Sequence, residues 1–90
     1  MMLKEFLGDT PQIRLLNRLI LANSLSIPYV YDEIGILPTQ GNAIVEKFVK
    51  LGIIIRHDGE IQANNRHGLI IALRNLNSLL SQREGFFLGT

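Results

Sequence analysis

Apolar positions recur along this chain with two different periods, and the change from one to the other marks out its elements. After Ile13, the residues Leu16, Leu19 and Ile20 follow at helical spacing, with Arg14, Asn17 and Arg18 on the opposite face. Asp9-Thr10-Pro11 supplies a capping side chain and a proline for the start of this helix, which should run to about Asn23. A short amphipathic piece, Leu3 to Leu7, precedes it as a lead-in helix. Pro28 opens a second helix that turns Val30, Ile34 and the ring of Tyr31 inward, and Gly35 closes it. Leu37-Pro38-Thr39 opens a third, with Gly41, Ile44, Val45, Phe48 and Leu51 on one side and Gly52 at its end.

Beyond Gly52 the period shortens. Ile53-Ile54-Ile55-Arg56-His57 reads as a strand, Asp58-Gly59 as a two-residue hairpin turn, and Glu60-Ile61-Gln62-Ala63 as the returning strand. Asn64 and Asn65 are good caps for a last helix over about 66–83. The predicted class is mostly α with a β-hairpin: three core helices, a two-stranded hairpin and a terminal helix, all in one domain over residues 1–90. No repeat or linker divides the chain.

With 47% apolar residues, a packed interior is within reach and disorder is not expected. No apolar run is long enough to span a bilayer, and no secretory signal pattern stands at the N-terminus, so a cytoplasmic protein without a membrane partner is expected. The absence of cysteine excludes disulfides and thiolate chemistry. A net charge of only +1 means that any basic footprint must be local.

The stretch Tyr29 to Val45 resembles a helix-turn-helix. Val30 and Ile34 lie one turn apart, Gly35 permits a left-handed turn, Ile36 plugs the gap between the helices, and Val45 with Phe48 anchors the second helix. Phe48-Val49-Lys50-Leu51-Gly52-Ile53-Ile54 is similar to the helix-to-strand junction of winged-helix proteins. Phe6 to Leu16 and Asn64 to Leu73 extend the likeness over nearly the whole chain. Together, in this order and spacing, these segments resemble the small archaeal-type winged helix-turn-helix transcriptional regulators.

That resemblance implies a helix-turn-helix over about 28–51, a wing over about 53–63 and double-stranded DNA as partner. The groove-facing residues would be Leu37, Pro38, Gln40, Asn42, Ala43 and Lys47, with Thr39 capping the helix beside a phosphate. Gln40 and Asn42 carry amides suited to adenine edges. Arg56 and His57, beside the wing tip, would reach backbone or minor groove, and Arg14, Arg18, Lys50 and Arg66 are further phosphate candidates. The chain departs from the family at Gly41, where a β-branched core residue is usual, and in the acidic Asp58 and Glu60 of the wing tip.

Leu69, Leu73, Leu76 and Leu80 alternate four and three apart on the terminal helix, and Ile70, Ile71 and Ala72 fill the gaps. More apolar surface stands there than one core can cover, so Leu69, Ile70, Leu73, Leu76 and Leu80 are expected to form a homodimer seam, with Phe86-Phe87-Leu88 packing across it. The alternative reading is a winged-helix module that docks another protein and binds little DNA. An enzyme is not expected: no serine lies in a nucleophile elbow, and no glycine loop cradles phosphate. Neither His57 nor His67 has a second ligand at zinc spacing, so neither metal nor cofactor is expected.

Overall fold

A computed structural model describes residues 7–22 and 24–88, with side chains as far as residue 80. Within the described residues, four helices and a small antiparallel sheet follow one another as α1 (Pro11–Leu21), β1 (Leu25–Ser26), α2 (Ile27–Ile34), α3 (Pro38–Lys50), β2 (Ile54–His57), β3 (Glu60–Ala63) and α4 (Gly68–Leu88). This arrangement is compatible with a winged helix. The predicted lead-in helix lies outside the described residues except at Leu7.

The start of α1 forms as the sequence predicts. The Thr10 hydroxyl accepts from the Ile13 amide at 3.1 Å, and Pro11 needs no partner for a missing N–H. Its end comes earlier than predicted, at Leu21, because Ala22 turns extended (φ −126, ψ 153) to lead into β1. The carbonyl of Ile20 is left open there, and the Arg74 guanidinium donates to it at 2.8 Å.

The sheet has three strands, not two. β1 pairs antiparallel with β3, Leu25 opposite Ile61 and Ser26 opposite Glu60, and the order is β1-β3-β2. Two residues are too few to show an alternating pattern, which is why this strand is absent from the sequence reading. The ladder runs on into α2, where the Ile27 amide donates to the Gly59 carbonyl at 2.8 Å. The hairpin tip is therefore anchored to the start of α2. Within the hairpin the left-handed turn position falls on Asp58 (φ 54), a residue type that tolerates it.

Gly35 ends α2 in the left-handed conformation (φ 74, ψ 42), as its position predicts. The Arg14 guanidinium donates to the carbonyl of Ile34 at 2.6 Å, so α1 caps α2 just as α4 caps α1. The expected Thr39 cap is corrected: Leu37 is the N-cap, with extended backbone and no side-chain bond, and Thr39 sits inside the first turn. Leu51, expected on the core side, is the exposed C-cap residue of α3.

α4 starts two residues later than predicted and runs to Leu88. Asn64 is occupied elsewhere: its amide donates to the Gly52 carbonyl at 2.8 Å and its Oδ1 accepts from the Arg66 amide. The Nδ1 of His67 accepts from the Leu69 amide at 3.1 Å and takes the capping role. Asn65 instead receives the Arg74 Nε at 3.2 Å.

Leu15, Leu19, Val30, Val45, Ile61 and Ile70 are almost wholly enclosed, one or more from each helix and one from the central strand. Asn17 was placed on the polar face of α1 by periodicity but is 3% exposed, because α1 packs against α2, β3 and α4 at once. Its Oδ1 is buried without a hydrogen-bond partner, a state that costs about 1–3 kcal/mol. Asn17→Leu keeps the branched side-chain shape and removes the orphan. Thermal unfolding should show it more stable than the parent by about 1 kcal/mol, roughly 4–8 °C in Tm; a lower Tm would mean that the Asn17 amide stabilises the fold.

Candidate nucleic-acid interface

Gly41, Ile44, Val45 and Phe48 form the buried side of α3. At 100° per residue the middle of the opposite side carries Thr39, Ala43, Glu46 and Lys50. Leu37, Pro38, Thr39, Gln40, Asn42, Ala43 and Lys47, the predicted groove-facing set, are all exposed. They do not form one line. Gln40 and Asn42, two positions apart, stand on opposite margins of the exposed side, so they cannot address the same base pair. Asn42 is on the margin facing α2, and Lys47 shares the margin of Gln40.

Arg56 and His57 are also exposed, but alternation along β2 sends them to opposite faces. Arg56 is cross-strand partner to the buried Ile61 and shares its face of the hairpin; His57 faces away with Glu60. They are not a joint contact pair.

On its own face Arg56 comes near Tyr31. Burial pushes the Tyr31 hydroxyl above its ordinary pKa of 10.0, and the positive charge of Arg56 opposes that rise. At neutral pH the hydroxyl is therefore a proton donor, and it donates to Oδ1 of Asn42 at 3.0 Å. The ring is locked from above by α3: a Cβ on Gly41 would stand 2.6 Å from its Cε1 and Cζ. Gly41 is thus the seat of the Tyr31 ring. Sequence reading missed the Tyr31–Asn42 bond, and its one signal was the glycine on the core side of a helix.

Beside this cluster a groove of about 570 Å³ runs between the starts of α2 and α3, lined by Pro28, Tyr29, Asp32, Pro38 and Asn42 among others. Tyr29, which lines it, and Leu37, beside Pro38 in sequence, are 77% and 70% exposed.

Several predicted phosphate contacts have other work. Arg14 caps α2 and pairs with Asp9 at 3.3 Å. Arg18 pairs with Glu33 at 3.0 Å, and Lys50 lies 3.7 Å from Glu46 one turn back. Lys47, Arg56 and Arg66 form no ion pair with another described residue.

The dimer seam also changes. Ile70 and Leu73 are in the domain's own core, and Leu76 packs against it. The apolar residues α4 exposes are Leu69, Ile71, Ala72 and Leu79, the last three on the side away from the core. The Phe86-Phe87-Leu88 backbone continues α4, and its side chains lie outside the described residues. Among those residues no group of histidines and carboxylates is arranged to hold a metal ion, and no helix is long and apolar enough to cross a membrane.

Compared with known proteins, the chain matches no family model, no curated protein and no solved structure.

The Tyr31–Gly41 contact has a measurable sign. In an open helix Gly→Ala stabilises by about 1 kcal/mol. Here Gly41→Ala should destabilise by about 1–3 kcal/mol in denaturant unfolding, as overpacked cores do. With Tyr31→Leu in the background the same change should cost less or stabilise. Equal effects in both backgrounds would show that the ring does not set the glycine.

Proposed function

We propose that the chain is a winged helix-turn-helix DNA-binding transcriptional regulator, with α3 as its recognition helix and the β2–β3 hairpin as its wing. The observation that carries this reading is the exposed N-terminal half of α3, held at one edge of the domain beside a hairpin that contributes Arg56. Helix order and the strand order β1-β3-β2 support it, since a short strand before the helix-turn-helix closes the sheet of a winged helix. Lys47 and Arg56, without ion pairs among the described residues, are the phosphate contacts; the exposed amides of Gln40 and Asn42 address bases.

The regulator acts as a homodimer joined through the far side of α4, where Ile71, Ala72 and Leu79 are exposed, rather than through the seam of Leu73 and Leu76. Two α3 helices then enter successive major grooves of an inverted repeat. A second reading, a protein-docking module, is favoured by the exposed Tyr29 and Leu37, by the groove that Tyr29 lines and by the low net charge.

Fluorescence anisotropy with a random-sequence duplex, between about 50 and 200 mM salt, separates the two readings. For DNA binding, log affinity should fall linearly with log salt, and Arg56→Ala and Lys47→Ala should each flatten the slope by about 0.9. Folded protein that fails to bind at the low-salt end would reject the DNA reading in favour of docking. Sedimentation tests the dimer: the parent should sediment as a dimer and Leu79→Glu as a monomer. A parent already monomeric at micromolar concentration would sink the α4 interface.

A further inference from the structure

On the DNA-binding reading, on which it rests, we propose that Tyr31 is a positioning residue that turns Asn42 into a hydrogen-bond donor toward the major groove, selecting an acceptor-rich guanine edge over adenine. A free asparagine reads adenine with both ends of its amide, Oδ1 accepting from N6 and Nδ2 donating to N7. Here Oδ1 already accepts from the Tyr31 hydroxyl at 3.0 Å. The amide is therefore oriented with Oδ1 toward α2 and Nδ2, with its two donor hydrogens, directed away from it. Guanine presents N7 and O6, both acceptors, in the major groove and matches that donor pair.

Packing holds the hydroxyl in this role: the Tyr31 ring is buried against the Gly41 backbone, in the space a Cβ there would need. The hydroxyl hydrogen is directed at Oδ1, to which it donates. An amide flipped to present Nδ2 to Tyr31 would face that hydrogen with its own. Asn42 is exposed, so its outward amide is accessible to a base.

The test has a DNA-free arm and a DNA arm, each with Tyr31→Phe, which removes only the hydroxyl. In nitrogen-edited NMR of the free protein, the Asn42 side-chain amide should give a rigid heteronuclear NOE that drops in Tyr31→Phe. An unchanged NOE would overturn the positioning role whatever the DNA result. In selection from a randomised duplex library, the parent should enrich guanine at one position, and Asn42→Ala should abolish that enrichment. Tyr31→Phe should weaken it about five- to tenfold, within the 1–3 kcal/mol a paired base contact supplies, with affinity for random duplex changed less than twofold. Adenine at the Asn42-dependent position, or a guanine preference indifferent to Tyr31→Phe, would overturn the proposal. A drop in NOE with no DNA binding by any variant would leave the tether in place and reject the DNA reading, and base selection with it.

Discussion

Three separate elements of this domain are fastened to α1. A chain of 90 residues can enclose only a small core, and here one helix of 11 residues provides a wall to α2, β3 and α4 together. Leu15 and Leu19 are fully buried, Leu16 and Ile20 nearly so, and even Asn17 is enclosed between them. Arginines then tie the helix ends in series: Arg74 of α4 to the end of α1, and Arg14 of α1 to the end of α2. A charged donor on an open helix carbonyl satisfies a group that would otherwise lie bare and complements the negative helix terminus. Arg14 reads from sequence as a phosphate candidate. The contribution of both arginines is to the framework.

That framework fixes where α3 stands, and the Tyr31 ring fixes how closely α2 and α3 approach. The absence of a side chain at Gly41 lets the ring lie directly against the helix backbone, at the expense of helix propensity. A glycine that weakens a helix locally is explained by a neighbour that needs its space. The hydroxyl then reaches the rim and engages Asn42, so one side chain is core at its ring and surface at its oxygen.

Helices and hairpin were legible because each had a periodic apolar face and chemical punctuation at its ends: Thr10-Pro11, Gly35, Gly52 and Asp58-Gly59. β1 was not, since two residues carry no period and their partners on β3, Leu25 with Ile61 and Ser26 with Glu60, lie more than 30 positions away. Asn17 and Leu51 were misassigned for the same reason in reverse: periodicity assigns a face but not how many neighbours surround it. Leu73 was read as part of a free seam because a heptad pattern looks alike whether it meets a partner or its own core. Exposure of the α3 residues followed the predicted face. The cross-helix bond between Tyr31 and Asn42, and the opposite directions of Arg56 and His57, depend on tertiary approach and strand register, which no local pattern encodes.

The two-residue strand β1 has a consequence for how the domain assembles. Its pairing with β3, continued by the Ile27–Gly59 bond, closes a loop around the whole of α2 and α3. The β2–β3 hairpin is local and forms on the microsecond scale by itself. β1 gains its partner only when the enclosed α2 and α3 have folded back between them, since the entropy of closing the loop is lost before the pairing repays it. The strand is thus a latch set late in folding and released early. Amide exchange at Ile27 reports opening of α2 and α3 as a unit, while amides of the β2–β3 ladder report the hairpin alone.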